Sequence, residues 1–354
     1  MQATDQNSMT GAVLPGNSTV ELHSFEVPEP GHGEVLLRTK AASICGSDIR
    51  AIYHEHRGKG PEAYQPGTVA GHEPCGQIER CGPGVRCFAP GDRVVVYHIS
   101  GCGVCNDCRR GYMISCDSEW RRAYGWQRHG GMAPYMVVEE KDLVPLPDNL
   151  TYLDGAQIAC GFGTVYEALE KIAINGNHAV LITGLGPVGL ATAMLARALG
   201  AEKIIGVEMN DYRLDLAKQV NLCDALIDKP DQALSEVERL TNGRGVERAI
   251  DCSASEAARR TCIQATRARG ACALVGEGGT CSFEPSPELI HGQKTLYGSW
   301  VTSTWRMEEL AERLSRWDLH PEQLVTHRFQ LTQADQAYAL MSSGECGKVA
   351  VTFE

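Results

Sequence analysis

Apolar residues change their spacing near residue 155, and this change divides the chain into two parts. Before it, short apolar runs alternate with turns rich in glycine and proline, as in VELHSFEVPEPGHGEVLLRTKAASIC and GDRVVVYHI, which is typical of β-strands and hairpins. After it, apolar strands alternate with segments of helical periodicity. The pattern predicts a mostly β first part, with a small closed barrel as one possible form, followed by an α/β part.

The second part contains six predicted strands, most of them separated by helical segments. They are HAVLITG, KIIGVEM, ALIDK, ERAIDCS, ACALVGE and TLYGSWV, at 178–184, 203–209, 225–229, 247–253, 271–277 and 295–301. Strands joined by helical crossovers build a doubly wound parallel sheet. The tail adds one amphipathic helix, RMEELAERLSRW, and a final short strand, GKVAVTFE, which we expect to return to the first part.

A glycine-rich turn joins the first strand of this sheet to its first helix. It reads Gly184-Leu185-Gly186-Pro187-Val188-Gly189. In such a strand-to-helix turn, the first glycine permits tight bending, the second lets the backbone approach a pyrophosphate, and the third allows close packing of helix on strand. Free N–H groups at the start of the helix complete a phosphate site, so the turn indicates a bound dinucleotide.

Glu208 ends the second strand, 19 residues after Gly189. A carboxylate there can accept hydrogen bonds from both ribose hydroxyls, and it would repel a 2′-phosphate. The alternative is a solvated glutamate at a strand end. Its place relative to the glycine loop favours the cofactor role, and therefore NAD over NADP. Arg213 lies nearby in sequence and either stacks on adenine or faces water.

Four cysteines, Cys102, Cys105, Cys108 and Cys116, form what we call the four-cysteine stretch, residues 102–116. Cys-x-x-Cys turns bring thiolates within reach of one tetrahedral zinc ion, and four ligands leave no open position, so such a site is structural. The alternative is a disulfide cluster or scattered free thiols, although three cysteines on one short loop cannot all pair with one another. We predict a structural zinc site, and its presence points to a second metal site elsewhere.

The length, net charge and cysteine content of the chain argue against several classes of function. The chain has 354 residues, enough for two domains with full cores, and a formal net charge of -11. The negative charge argues against nucleic acid or an anionic membrane as the main partner. No apolar run is long enough to span a bilayer, and the N-terminus lacks the pattern of a secretory signal. Fifteen cysteines, mostly spread singly, suit a reducing compartment, so we expect a cytoplasmic protein.

The chain resembles the zinc-dependent medium-chain dehydrogenases, which include alcohol, sorbitol and threonine dehydrogenases. Nearly the whole chain shares the resemblance, and its most specific parts are Gly71-His72-Glu73-x-x-Gly76-x5-Gly82, the four-cysteine stretch and GLGPVG. The resemblance implies a GroES-like β-barrel catalytic domain formed by residues 1–157 and 302–354, and a Rossmann NAD-binding domain formed by residues 158–301. It also implies a homodimer or homotetramer.

The same resemblance implies a catalytic zinc site. Cys45 and His72 match two of its ligands, and Cys160 matches the third ligand of the alcohol dehydrogenase branch, where the sorbitol dehydrogenase branch has a glutamate. Glu73 follows His72 directly, and it either binds the metal in some states or sits behind it. With the four-cysteine stretch, this makes two zinc ions per chain.

Two further residues carry over from the family, and one position departs from it. Ser47 matches the hydroxyl that takes the substrate proton, and Asp48 matches the carboxylate that orients the histidine ligand. Many relatives have a histidine five residues after the first cysteine ligand, which passes the proton to solvent. This chain has Arg50 there, and an arginine cannot relay by giving up its proton. His54 or His56 could substitute, or water could exchange directly with the serine.

These features predict the reversible oxidation of a secondary alcohol to a ketone by zinc and NAD. Residues 50–57 and 120–129 mix aromatic and hydrogen-bonding groups, which favours a sugar, polyol or sugar-derived alcohol unless both segments are solvated surface loops. A threonine 3-dehydrogenase-like or simple alcohol dehydrogenase activity is the alternative within the family. The non-enzyme alternatives are an inactive zinc- and dinucleotide-binding protein of the same fold, and a zinc-regulated interaction protein.

Overall fold

The computed structural model describes residues 7–58 and 63–354. They form two compact units. One comprises the described chain through Gly163 together with Thr302–Glu354, and the other comprises Thr164–Val301. The sequence pattern and the resemblance placed the corresponding boundaries at residues 158 and 301. No helix in these described ranges combines the length and the apolar character that a bilayer crossing requires.

The secondary structure follows the predicted change from β to α/β. In chain order, the strands of the described residues are β1 (Ser8–Val13), β2 (Glu21–Glu26), β3 (Glu34–Ser43), β4 (Glu73–Cys81), β5 (Arg93–Val96), β6 (Ile99–Ser100), β7 (Arg122–Ala123), β8 (Tyr135–Glu139), β9 (Leu143–Pro145), β10 (Ala179–Thr183), β11 (Lys203–Val207), β12 (Ala225–Ile227), β13 (Val246–Asp251), β14 (Thr266–Leu274), β15 (Thr295–Gly298), β16 (Val325–Phe329) and β17 (Lys348–Thr352). The α-helices are α1 (Gly46–Asp48), α2 (Asn106–Arg109), α3 (Tyr152–Gln157), α4 (Gly163–Lys171), α5 (Pro187–Ala198), α6 (Asp211–Val220), α7 (Ala233–Leu240), α8 (Glu256–Ala265), α9 (Thr304–Trp317) and α10 (Ala334–Ser343).

A seven-stranded sheet forms the centre of the first unit. Six strands follow the order β16-β17-β3-β4-β5-β9, and β8 also pairs with β3. One edge of the long strand β3 pairs with β4, while its other edge is shared between β8 at residues 34–38 and β17 at residues 41–43. The pairing with β17 confirms that the last strand returns to the first part of the chain. Buried apolar side chains, among them Ile44, Ile52 and Tyr338, form a core beside this sheet.

A six-stranded parallel sheet in the order β12-β11-β10-β13-β14-β15 forms the second unit, which confirms the predicted doubly wound architecture. All five side chains of β10 are buried, as expected of a central strand covered on both faces. The strand order reverses between β10 and β13. Sheets of this kind bind ligands outside the carboxyl ends of the strands at such a reversal, so the loops after β10 and β13 mark the crevice.

The tail of the chain differs from its prediction. It contains two helices, α9 and α10, with β16 between them, whereas the sequence predicted a single helix before the last strand. α9 has charged residues along one face and buries Met307, Leu310 and Leu314, which gives a clear helical period. α10 carries one charged residue, Asp335, among small and weakly polar ones, so its period is faint.

Candidate functional site

The end of β3 and the turn that follows it supply the first side chains of the candidate active site. The chain leaves β3 through the short helix α1, which continues as a π-helical stretch, Ile49–Tyr53. Cys45 precedes α1, and its backbone N–H donates to Asp48 Oδ2 at 3.0 Å. The Asp48 side chain is fully buried, whereas Ser47 in the same turn is half-buried. The buried Asp48 carboxylate therefore holds the backbone of this turn in place.

His72 joins this turn because β4 pairs with β3. His72 directly precedes β4, and its Nδ1 lies 2.7 Å from Asp48 Oδ1. Burial lowers the pKa of His72, but the Asp48 charge outweighs that effect and holds the pKa well above its usual range. With Nδ1–H donated to the carboxylate, Nε2 is the nitrogen left to bind a metal, and metal binding there would displace its proton.

Cys160 completes the group from a third part of the chain. It lies in a π-helical stretch, Ile158–Phe162, that connects α3 to α4. The ligand atoms of Cys45, His72, Glu73 and Cys160 all lie within 4.8 Å of one another. The structure thus brings together four residues that sequence spacing alone did not connect.

The chemistry of this group fits a zinc ion. A hydrogen bond between the two thiols lowers the pKa of Cys45 well below its usual value and raises that of Cys160 well above it. One sulfur therefore ionises readily, as a metal ligand must. Zinc takes sulfur, imidazole nitrogen and carboxylate oxygen, and all three types are present with the orienting carboxylate of Asp48 behind them.

A buried ion pair lies next to the metal ligands. Lys348, on β17, places Nζ 2.5 Å from Glu73 Oε2, and both side chains are almost inaccessible to solvent. Burial raises the pKa of Glu73 to about 6, although Lys348 acts in the opposite direction. The lysine holds Oε2, whereas Oε1 has no hydrogen-bond partner among the described residues, so Glu73 stays within reach of a metal held by Cys45, His72 and Cys160. A tetrahedral zinc ion held by three protein ligands keeps one position for another molecule.

His98 belongs to the same site, although no sequence motif singled it out. Its ring is buried, with the centroid 5.0 Å from that of His72, and its Nδ1 lies 3.1 Å from the carbonyl oxygen of Ala159. Burial lowers the pKa of His98 to about 3, so the ring is neutral. Its Nδ1–H donates to the carbonyl, which leaves Nε2 as a hydrogen-bond acceptor.

The four-cysteine stretch forms a second, separate metal group. The four Sγ atoms lie within 4.8 Å of one another, and Cys102 Sγ is 3.9 Å from Cys108 Sγ. Thiolates about 2.3 Å from one tetrahedral zinc ion lie about 3.8 Å apart, so the spacing fits the metal and is far too long for a disulfide. Backbone N–H groups of Cys102, Cys105 and Cys108 donate to sulfurs of the set. The residues fit a closed structural zinc site.

The glycine loop in the second unit has the backbone that its sequence predicts. Gly184 has a φ of +81°, which favours glycine, and a side chain at Gly189 would overlap the carbonyl oxygen of Gly184. Pro187 and Val188 begin α5, with the proline at the first helical position, where its missing N–H costs nothing. The loop can therefore approach a pyrophosphate closely.

Glu208 directly follows β11 and is buried against this loop. Its Oε2 accepts a hydrogen bond from the N–H of Leu185 at 2.7 Å, and its Oε1 accepts from Met209 at 2.9 Å and from Asn210 at 3.0 Å. The carboxylate thus ties the glycine loop to the start of α6. Each oxygen has two lone pairs, so Oε1 is fully occupied and Oε2 keeps one lone pair that could accept from a ribose hydroxyl.

Arg213, on α6, lies beside the second glycine of the loop. Its guanidinium carbon would be 3.5 Å from a Cβ placed on Gly186, and its buried Nε has no hydrogen-bond partner among the described residues. The structure therefore brings Arg213 to the glycine loop, together with Glu208.

The two histidines considered as proton carriers have other partners. His54 Nδ1 lies 2.8 Å from Ser18 Oγ, and its Nε2 lies 3.1 Å from Ser342 Oγ. His56 Nε2 lies 2.8 Å from the carbonyl oxygen of Leu14. Both rings are thus engaged away from the metal ligands.

Much of segment 120–129 is also engaged inside the first unit. Tyr124 is fully buried. Arg128 lies over the Tyr124 ring and forms ion pairs with Glu34 at 2.7 Å and Glu139 at 2.5 Å. These side chains stabilise the unit itself, so they give no support to the idea that the segment recognises substrate.

Comparison with known families agrees with this geometry. The family description "Alcohol dehydrogenase GroES-like domain" matches residues 31–148, and "Zinc-binding dehydrogenase" matches residues 187–316. Together the two matches cover more than half of the chain. The first match lies within the metal-binding unit, and the second covers most of the parallel-sheet unit and extends to residue 316.

Similar proteins extend over almost the full length. The chain is 49% identical over 350 residues to the "Uncharacterized zinc-type alcohol dehydrogenase-like protein YphC" of Escherichia coli K12, which covers 98% of this chain and 99% of that one. It is 31% identical over 332 residues to the L-threonine 3-dehydrogenase of Pyrococcus horikoshii, with coverage of 93% and 94%.

Solved structures show the same fold. An alcohol dehydrogenase from Thermus sp. ATN1 superposes with a TM-score of 0.89 at 26% identity, covering 98% of this chain and all of the other. Two further dehydrogenases, each 25% identical with a TM-score of 0.86 and the same coverage, were solved with NADP (Sinorhizobium meliloti) and with NADH (Escherichia coli CFT073). This chain therefore belongs to the zinc-dependent medium-chain dehydrogenase family and is an alcohol dehydrogenase-type oxidoreductase.

Proposed function

We propose that the protein oxidises a secondary alcohol of the sugar, polyol or sugar-derived class to a ketone with NAD as the oxidant. The observation that carries this proposal is the convergence of Cys45, His72 and Cys160 around one point, with Asp48 orienting the histidine and Lys348 neutralising the adjacent carboxylate. An inactive descendant of the fold would have no need to keep this whole arrangement.

The residues of the site divide the work. Cys45, His72 and Cys160 hold the catalytic zinc, while Glu73, already paired with Lys348, stays behind it as a reserve ligand. The chemistry supplied by a bound zinc ion is polarisation of an alcohol oxygen, and that supplied by a bound dinucleotide is acceptance of a hydride. Ser47, half-buried in the same turn as Cys45, accepts the hydroxyl proton at Oγ and passes it to water.

His98 supports a substrate with a second polar group next to the reacting carbon. Its neutral ring lies against His72, and its Nε2 is an acceptor without a partner among the described hydrogen bonds. A hydroxyl on the neighbouring carbon of a polyol would satisfy it, whereas a plain secondary alcohol would leave it empty.

L-Threonine oxidation is the second candidate. It is favoured by the 31% identity to an L-threonine 3-dehydrogenase over nearly the full length of both chains. Threonine also carries a hydrogen-bond donor, its amino group, on the carbon next to the reacting one. The same His98 acceptor would therefore serve either substrate.

For the cofactor, we propose NAD rather than NADP. The buried Glu208 carboxylate beside the glycine loop would repel a 2′-phosphate, while the remaining lone pair of Oε2 accepts from a ribose hydroxyl. Arg213 then stacks on or borders the adenosine. The Glu208→Gln variant keeps the side-chain shape but removes the charge, so we expect its preference for NAD over NADP to fall about tenfold or more. An unchanged ratio of kcat/KM for the two cofactors would remove Glu208 from this role.

We also propose a homodimer or homotetramer in the cytoplasm. The edge strand β15 carries no charged residue, and Ile290 and Trp300 are exposed near its two ends. Uncharged sheet edges are commonly covered by another chain. No disulfide links any of the described cysteines, which supports a reducing compartment. Light scattering on the purified protein tests the subunit count, and a monomer would contradict the proposal.

The deciding experiment is a substrate panel with metal analysis on the purified protein. We expect about two zinc ions per chain and NADH formation with polyols or aldoses, at a higher kcat/KM than with 2-butanol, which lacks a second hydroxyl. A clear preference for L-threonine would establish the second candidate. About one zinc ion and no turnover would instead favour a non-catalytic binding protein.

A further inference from the structure

A second glycine-rich loop, residues 276–280, follows β14 at the carboxyl edge of the parallel sheet. It contains three glycines, and Gly278 and Gly279 have φ values of +94° and +65°. Gly276 approaches the backbone of Ala254 so closely that a side chain would overlap it. Glycine loses more conformational freedom than any other residue when it is fixed, so this loop needs an external anchor to keep one conformation.

Arg259 anchors both ends of the loop. The side chain projects from α8 and is buried, with 8% of its surface exposed. Its Nη2 donates to the carbonyl oxygen of Gly276 at 2.5 Å, and its Nη1 donates to that of Thr280 at 3.2 Å. A guanidinium holds its N–H groups in a rigid planar fork, so one side chain can bridge two carbonyls that a lysine could not bridge with the same geometry.

Asp251 balances the buried charge and links the anchor to the glycine loop. It ends β13, it is fully buried, and its Oδ2 lies 3.4 Å from Arg259 Nε. Its Oδ1 accepts hydrogen bonds from Thr183 Oγ1 at 2.9 Å and from Ser253 Oγ at 2.6 Å. Thr183 is the residue immediately before Gly184. The carboxylate therefore connects the end of β10, which precedes the glycine loop, to the arginine that anchors loop 276–280.

The order of the strands indicates what the anchored loop is for. Glu208 follows β11, the glycine loop follows β10, and loop 276–280 follows β14, which pairs with β13 on the other side of the reversal. A dinucleotide whose ribose meets Glu208 and whose pyrophosphate meets the glycine loop extends in the direction of β13 and β14. Loop 276–280 then faces the nicotinamide half of the cofactor.

We propose that Arg259, held by Asp251, is a positioning residue that preorganises loop 276–280 for the nicotinamide half of the dinucleotide. The inference rests on the NAD-dependent function proposed above. If the anchor is lost, the loop must be ordered during binding, and that cost appears as weaker affinity for the cofactor. The KM for NAD then rises, while kcat at saturating NAD changes less.

The test compares Arg259→Lys and Arg259→Gln with wild type and with Arg260→Gln. Arg260 is the next residue of the same helix, is half-exposed, and lies 3.6 Å from Glu288, so it provides a matched control. Titration of NADH fluorescence should give a dissociation constant about tenfold or more higher in both Arg259 variants and unchanged in the control. Amide hydrogen exchange should become faster in residues 276–280.

The outcomes separate this inference from the proposed function. Wild-type protein that fails to bind NADH would refute the function itself. If wild type binds and both Arg259 variants bind within twofold of it, or if the control weakens equally, the positioning role is wrong. A lower unfolding temperature with unchanged NADH affinity would show a purely structural role. Should Arg259→Gln fail to fold, Arg259→Lys decides, because it keeps the charge next to Asp251 and loses only the fork.

Discussion

The two candidate zinc sites of the first unit are assembled in different ways. The four-cysteine stretch contributes all of its ligands from residues 102–116, and its own backbone N–H groups donate to the sulfurs. The other site draws on three distant segments and surrounds its ligands with the charged groups of Asp48 and Lys348. A closed set of thiolates needs only local turns, whereas a mixed set with an open position needs the whole fold to assemble it.

The strongest test of this difference removes one ligand from the mixed site, the group formed by Cys45, His72, Glu73 and Cys160. We expect Cys45→Ser to lose one of two zinc ions and at least about 10³-fold in kcat, since metal polarisation of the alcohol oxygen contributes several kcal/mol. Circular dichroism should show a retained fold. The control is Cys87→Ser, an exposed cysteine outside both sites. Full activity in Cys45→Ser would show that the group does not hold the catalytic metal.

The matching change at the closed site, the four-cysteine stretch, should lower the stability of the protein rather than its turnover. Cys105→Ser is expected to lose the other zinc ion and to lower the unfolding temperature by roughly 10 °C, because about 3 kcal/mol of metal-linked stability is removed at ~2–4 °C per kcal/mol. Activity measured well below that temperature should stay near wild type. Calorimetry with metal analysis checks this. Loss of turnover without loss of stability would reverse the roles of the two sites.

The charged surroundings of the mixed site give the next largest effect. Asp48→Asn leaves the His72 ring without its charged partner, and we expect the affinity for one zinc ion to fall about 10- to 100-fold. Competition with a chelator measures it. Asp107→Asn, within the four-cysteine stretch, is the matched control and should release both ions as wild type does. Equal zinc affinity in Asp48→Asn and wild type would mean that the carboxylate does not orient the ligand.

The smallest expected effect distinguishes the pH dependence of stability that a single histidine contributes from that of a metal site. The hydrogen bond that His320 Nδ1 donates to the Asp154 carboxylate, 2.8 Å away, raises the pKa of His320. Its stabilisation is therefore complete below about pH 6.5 and is lost as the pH rises through the folded-state pKa. Metal sites behave oppositely, because acid protonates their ligands. His320→Gln should cost about 0.5–1 kcal/mol in urea unfolding at about pH 6 and less at about pH 9. Equal costs would contradict the assignment.

The sequence predicted the parts of the molecule that depend on local order. The four-cysteine stretch is contiguous, and the strands and helices of the parallel sheet carry strong apolar periods, as the fully buried strand β10 shows. The glycine loop is equally local, since Gly184 and Gly189 act within one turn. These features could be predicted from the sequence without knowledge of the fold.

The parts that the sequence did not give depend on contacts between distant segments. Lys348 carries no motif, and it meets Glu73 only because β17 pairs with β3, which in turn pairs with β4. His98 packs against His72 for a similar reason. No motif surrounds it in the sequence, so it could not be distinguished there from an ordinary core histidine. The resemblance to a family, rather than spacing, joined Cys45 to Cys160.

The π-helical winding at residues 49–53 and 158–162 bears on how this site tolerates mutation. Such winding closes its hydrogen bonds over one more residue than an α-helix does, and each residue of an α-helix advances the chain by about 100°. Deleting one residue from 158–162 would restore regular winding and swing Cys160 away from its neighbours, even though no ligand had been replaced. Selection should therefore remove insertions and deletions in these two segments more strictly than substitutions. Natural variants would keep the number of residues there.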